Sequence, residues 1–124
     1  MKNLFSSNVD TSVVDDLISG TLVTSKVVGV KVTGTGIVKR GTLLSSDDGE
    51  NFSANAEEIE CVLLEDVDAD DPDSNEGAAA FGGEFNQNRI EDVMGVELSP
   101  LAIHKARIGP RIFIAPMNPA PESI

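Results

Sequence analysis

Apolar residues along this chain come in short runs separated by Gly, Asp and Pro. Lys26–Val32 (KVVGVKV) is rich in β-branched residues. Ile37–Val38 and Thr42–Ser45 are brief apolar stretches on either side of Lys39-Arg40-Gly41. Ile59–Leu64 (IECVLL) is continuously apolar apart from Glu60, Ala78–Phe85 (AAAFGGEF) is built of small residues, and Arg111–Ala115 (RIFIA) closes the series. Short β-branched or apolar runs bounded by turn residues predict strands, and a continuous run predicts a buried one. Gly34 and Gly36 mark a turn or bulge, Gly41 a positive-φ position, and Ser46-Asp47-Asp48-Gly49 an Asp-Gly turn. Asp66 to Gly77 is an acidic loop containing Pro72, and Gly82-Gly83 predicts a bulge or a close backbone approach.

Helical signals are fewer. In residues 12–19, Val13, Val14, Leu17 and Ile18 fall on one helical face, with Gly20 as a stop. The competing reading is an extended segment that orders on a partner. Arg89–Met94 predicts a helical turn before Gly95. A clearer helix opens with Ser99 as N-cap and Pro100 at N1 and closes at Gly109. Its apolar positions are Leu101, Ala102, Ala106 and Ile108, and Lys105 and Arg107 lie late, where the helix dipole favours cations. The organisation is therefore an N-terminal arm over residues 1–20, a mainly β domain over 21–115 with one or two short helices, and a Pro-rich tail over 116–124.

Composition limits what this domain does. The chain has 124 residues, enough for one modest core. It has five Phe and no Trp or Tyr, so Val, Ile, Leu and Ala must build that core. Lys and Arg total 9 against 21 Asp and Glu, a formal net charge of −12. Such a balance argues against nucleic acid and against anionic membranes as partners, since both need exposed cations. Between Arg40 and Arg89 there is no Lys or Arg, while acidic residues crowd the same stretch. The ordinary reading is a set of solvated acidic loops. The functional reading is a surface that keeps neighbouring copies dispersed. One Cys forms no internal disulfide, and no apolar run approaches the length of a membrane span. With no signal-peptide pattern at the N-terminus, the expected site of synthesis is a cytoplasm.

Residues that carry chemistry elsewhere are here but not in working patterns. Asp66, Asp68 and Asp70 begin a calcium-loop pattern, which fails at Asp71 and Gly77, where Gly and Glu are needed. His104 is the only His, and Cys61 lies inside an apolar run, so neither a zinc site nor a Cys–His nucleophile pair is expected. Gly34, Gly36 and Gly41 have the wrong spacing for a dinucleotide fingerprint. No enzyme activity, metal or cofactor is expected.

Four segments recur in a recognisable order: Lys39-Arg40-Gly41-Thr42, then Leu63-Leu64-Glu65-Asp66-Val67-Asp68, then Gly83-Glu84-Phe85-Asn86, then Ile112-Phe113-Ile114. Their order and spacing over about the last two thirds of the chain resemble the lambda-type head decoration proteins of tailed bacteriophages. The resemblance implies a small β-tulip-like domain. It implies a homotrimer on the outer surface of the expanded head, bound to the major capsid protein of the same phage and stabilising the shell. It also implies that the N-terminal arm orders on that shell. Phe5, Val9, Val13, Val14 and Leu17 are the candidate capsid contacts, being apolar residues of a segment with little core of its own. The alternative for Val13, Val14, Leu17 and Ile18 is that they cap the domain's own core. Two features depart from the family pattern: Arg111 stands where a bare Gly usually precedes the last strand, and the tail runs past the usual end.

Two rival functions remain. Gly36 to Leu44 looks like a hairpin of biotinyl and lipoyl carrier domains, yet none of Lys26, Lys31, Lys39 or Lys105 has the setting of a modified lysine. A hydrolase or isomerase with carboxylate chemistry would need a cleft holding carboxylates of displaced pKa.

Overall fold

The computed structural model describes residues 16–19 and 26–116. The chain is mainly β, with nine strands and two short helices among the described residues. The strands are β1 (Lys26–Val32), β2 (Ile37–Val38), β3 (Leu43–Ser46), β4 (Asn51–Ala54), β5 (Cys61–Leu63), β6 (Val67–Asp68), β7 (Glu76–Phe81), β8 (Gly83–Asn86) and β9 (Ile112–Ala115). The helices are α1 (Gln87–Met94) and α2 (Pro100–Ile108).

Five strands close a barrel in the order β1-β4-β3-β5-β7. Its inside is filled by Val30, Val32, Leu44, Phe52, Cys61, Leu63, Val67 and Ala79. The opposite faces of β3, β5 and β7 turn Leu43, Val62 and Ala80 to a second core, shared with Phe85, Ile90, Ala102, Ala106, Ile112 and Ile114. These strands are therefore covered on both faces. That is why the stretches Leu43-Leu44, Cys61-Val62-Leu63 and Ala79-Ala80 are apolar and buried without alternation. Small side chains at Ala79 and Ala80 let the two layers close on the wall between them.

β4 carries little apolar signal in its sequence, NFSA, with Phe52 alone buried. It forms because the Ser46–Asn51 turn returns the chain onto β3. Ser46 Oγ and the backbone N–H groups of Glu50 and Asn51 all donate to Asp48 Oδ1, and Gly49 stands at φ 82°. The predicted strand Ala78–Phe85 is two strands. β7 belongs to the barrel and β8 pairs in parallel with β9, the change of sheet being made at Gly82 (φ 134°) and Gly83 (φ 117°).

The helices follow their caps. Asn86 Oδ1 accepts from Asn88 N at the start of α1, which Gly95 closes in the left-handed region. Ser99 Oγ accepts from Ala102 N, and Pro100 occupies the first turn of α2. The face of α2 turned to the core carries Ala102 and Ala106, while Leu101 (65% exposed) and Ile108 (64%) point outward. Two alanines one turn apart let the helix lie close on β9, and a Leu in their place would hold it off.

A correction concerns residues 12–19. The described part, 16–19, is not helical: the chain bends at Asp16 and Leu17 and makes one bridge at Ile18. Ile18 bridges Phe85 in the antiparallel sense, Ser19 N donates to Glu84 O, and Asn86 N donates to Leu17 O. On the other edge of β8, Gly83 N donates to Arg111 O. The segment thus docks on the edge of β8 opposite β9 through one isolated bridge. The helix expected over 12–19 gives way, at 16–19, to this contact within the chain.

Candidate functional site

The segments that carried the resemblance form two docked pairs. In the first, the Lys39–Thr42 turn sits on the end of β5. Gly41, at φ 103°, donates its N–H to Leu63 O at 2.8 Å, Leu63 N donates to Thr42 O at 3.0 Å, and Thr42 Oγ1 donates to Lys39 O at 2.7 Å. The acidic residues after β5 then take up backbone donors. Asp66 Oδ1 accepts from Arg40 N at 2.8 Å, Glu65 Oε2 from Ala78 N at 2.7 Å, Asp68 Oδ1 from Asp70 N at 3.0 Å, and Asp70 Oδ2 from Gly36 N at 3.0 Å. Val67 is buried between them. The alternating acid pattern is therefore a loop clamp. Asp66, Asp68 and Asp70 each serve a backbone amide. Among the described residues, no group of three His, Cys, Asp or Glu side chains is placed to hold a metal.

The second pair joins Gly83–Asn86 to Ile112–Ile114. β8 and β9 run parallel from Gly83↔Ile112 to Asn86↔Ala115. Phe85 has no exposed surface, and Ile112 and Ile114 are buried beside it. Asn86 does double duty: its Oδ1 caps α1 and its Nδ2 donates to Asp16 O at 2.8 Å. Arg111, the residue before β9, stands at φ 65°, a conformation that suits Gly.

Of the candidate contact residues, Phe5, Val9, Val13 and Val14 lie outside the described residues. Leu17 is fully buried in the core with Phe85 and Ile112, and so has no surface for another molecule. Its place as a capsid contact is corrected to the alternative, a cap on the domain's own core. The reason is the pairing of its backbone with Asn86, which turns the side chain inward. Asp16, next to it, lies 3.6 Å from Arg89 Nε as an exposed ion pair.

Cys61 and His104 do not form a catalytic pair. Cys61 is sealed inside the barrel, where burial above all, with help from the Glu60 charge, pushes its thiol up to about 12. His104 is exposed on α2. The shifted carboxylates are surface turn and linker groups. Asp48 is held well below the usual range by the Asn51 and Glu50 amides. Asp71 is lowered by the Asp73 N–H and the Ser74 hydroxyl. Glu91 is lowered by Gln87 and by the N–H of Leu98.

The surface of the barrel offers something sequence reasoning missed. Val27 (47% exposed) and Val28 (37%) stand uncovered on β1. Beside them opens a cleft of about 490 Å³, lined by Val28, Val30, Phe52 and Phe81 with Lys26, Lys31, Glu50 and Glu76 at its rim. Phe52 and Phe81 meet edge to face across it, centroids 6.0 Å apart. A second exposed apolar group lies on the other layer, where Arg107 covers the ring of Phe113 at 5.7 Å. The signal for β1 was present in KVVGVKV. Its period-2 pattern shows which face is buried, but not that a neighbouring strand stops short. Compared with known protein families, curated proteins and solved structures, the chain has no match.

Proposed function

We propose that this chain is a head decoration protein of a tailed bacteriophage, a cement that binds the outer surface of the expanded capsid as trimers and does no chemistry of its own. The observation that supports this reading is the docking of the four family-like segments into two pairs. Each segment has a partner in the fold that accounts for its residues: the Lys39–Thr42 turn with the Glu65–Asp70 clamp, and Gly83–Asn86 with Ile112–Ile114. Segments that recur in one order are expected to be coupled in space when that order reflects a shared fold.

The physical mechanism is linkage. A ligand that binds the expanded lattice and not the unexpanded one stabilises the expanded form by mass action. Three arms on one trimer act together, so each contact need not be strong. A formal net charge of −12 keeps free copies and decorated particles dispersed. On this reading Phe5 and Val9 reach the shell, with the major capsid protein as partner.

The test is to mix the purified protein with expanded and with unexpanded capsids of its own phage, pellet the particles and image them. Protrusions at threefold positions on expanded shells alone are expected. Failure of the folded protein to bind either shell would overturn the reading.

A further inference from the structure

Among the described residues, β1 is a barrel strand with one open edge. It pairs with β7 along Lys26–Lys31, but with β4 only at Lys31↔Asn51 and Val32↔Phe52. Because Val32 N donates to Asn75 O and Thr33 N to Phe52 O, even-numbered residues of β1 direct their backbone groups to β7 and odd-numbered ones to the β4 side. Val27 and Gly29 therefore present N–H and C=O groups to the open edge. Nothing stands within 4 Å of where a Cβ on Gly29 would be. The cleft lined by Val28, Phe52 and Phe81 runs beside this edge. It has the parts of a strand-addition site: a row of backbone groups and an apolar slot for alternate side chains.

We propose that the occupant is the N-terminal arm of a second copy of this chain, with Thr11–Asp15 antiparallel to Lys26–Val30. In that register Asp15 faces Lys26, Val14 faces Val27, Val13 faces Val28, Ser12 faces Gly29 and Thr11 faces Val30. Asp10 comes next, beside Lys31, at the point where β4 takes over the edge. Asp10 and Asp15 are the only acidic residues among the first fifteen, and their spacing equals that of Lys26 and Lys31. The parallel register also matches the charges, but it sets Ser12 in the apolar slot. The antiparallel one sets Val13 there, against Val28, Phe52 and Phe81.

The arm comes from another copy because its own stem is fixed elsewhere. Asp16 O is bonded to Asn86 Nδ2, at the far end of β8 from the barrel. The open edge lies on the side of β1 away from β7. The arm therefore leaves its own chain from β8 and not from the β1 edge. An arm passed from each copy to the next is a head-to-tail interface, which closes into a ring when the rotation allows. This inference concerns copies in solution and stands apart from shell binding. It assigns Val13 and Val14 to the neighbour and leaves Phe5 and Val9 for other partners.

The test uses the full chain in a Cys61→Ala background, with folding checked by circular dichroism. Val14→Cys and Val27→Cys are made as separate proteins, mixed and oxidised without capsids. A covalent heterodimer is expected on a non-reducing gel, and Thr11→Cys mixed with Val27→Cys is expected to give none. Equal cross-linking of both mixtures, or none from either, overturns the proposal. So does a double variant (Val14→Cys, Val27→Cys) that closes its disulfide within one chain. A second measurement avoids cysteines. Lys26→Glu with Lys31→Glu is expected to abolish the oligomer seen by sedimentation, and adding Asp10→Lys with Asp15→Lys to bring it back. An oligomer that ignores both charge changes, or free chains that never associate, also overturns it.

Discussion

Cys61 shows how far the setting of one side chain decides its chemistry. It lies inside the barrel with no exposed surface, and burial pushes its thiol up to about 12. A thiol reagent at pH 8 is expected to leave it untouched in the folded chain and to react promptly once denaturant opens the barrel; fast labelling of the native protein would contradict this burial. Asp48 is the opposite case, an exposed carboxylate fixed by the Asn51 and Glu50 amides and by two side chains. Its folded pKa lies below its unfolded value of about 4, so its stabilisation is complete above that value and is lost as pH falls. Asp48→Ala is expected to lower the melting temperature at neutral pH, with the gap to the parent closing in scans taken at progressively lower pH. A gap that stays constant would place the effect in the backbone turn and not in the charge.

Single elements show where packing overrules local signals. Phe85 on β8 has no exposed surface and joins the Ile18 bridge, α1 and β9. Phe85→Ala is expected to cost about 3–5 kcal/mol in denaturant melts. Leu101→Gln and Ile108→Gln on α2 are each expected to change stability by no more than about 0.5 kcal/mol, because both side chains already face water. A large loss from either would contradict their exposure. Strand β1, the turn at Ser46–Gly49 and both caps of α2, Ser99 and Gly109, were legible in the residues, since local chemistry decides them. Three things were not. β4 has one apolar residue and is made by its turn. The face of α2 is chosen by two alanines, which hydropathy alone ranks below Leu and Ile. Residues 16–19 bend onto β8 because β8 had an edge to offer, a fact of topology. The candidate site was legible in part: its Val residues stand in the sequence, but the open edge depends on where β4 stops.

Over the whole molecule the acidic excess acts as a field. Most of it falls on the stretch from Asp47 to Glu84, which contains no Lys or Arg. Among the described residues, opposing ion pairs are few and exposed, such as Lys105 with Glu58 at 2.7 Å and Arg89 with Asp16 at 3.6 Å. Exposed pairs of this kind contribute little, so self-repulsion is the larger effect. Raising the salt concentration from very low to physiological is expected to raise the melting temperature, because screening weakens repulsion. A fall would mean that the ion pairs outweigh it.

The bridged segment at residues 16–19 also gives the domain a mechanical character. Ser19 N to Glu84 O, Asn86 N to Leu17 O and Asn86 Nδ2 to Asp16 O all cross between this segment and β8. A pull on the chain from the N-terminal side loads these bonds and must also drag Leu17 from among the buried side chains. Residues 16–19 thus form an anchor, and tension applied to the arm ends at β8 before it reaches the barrel.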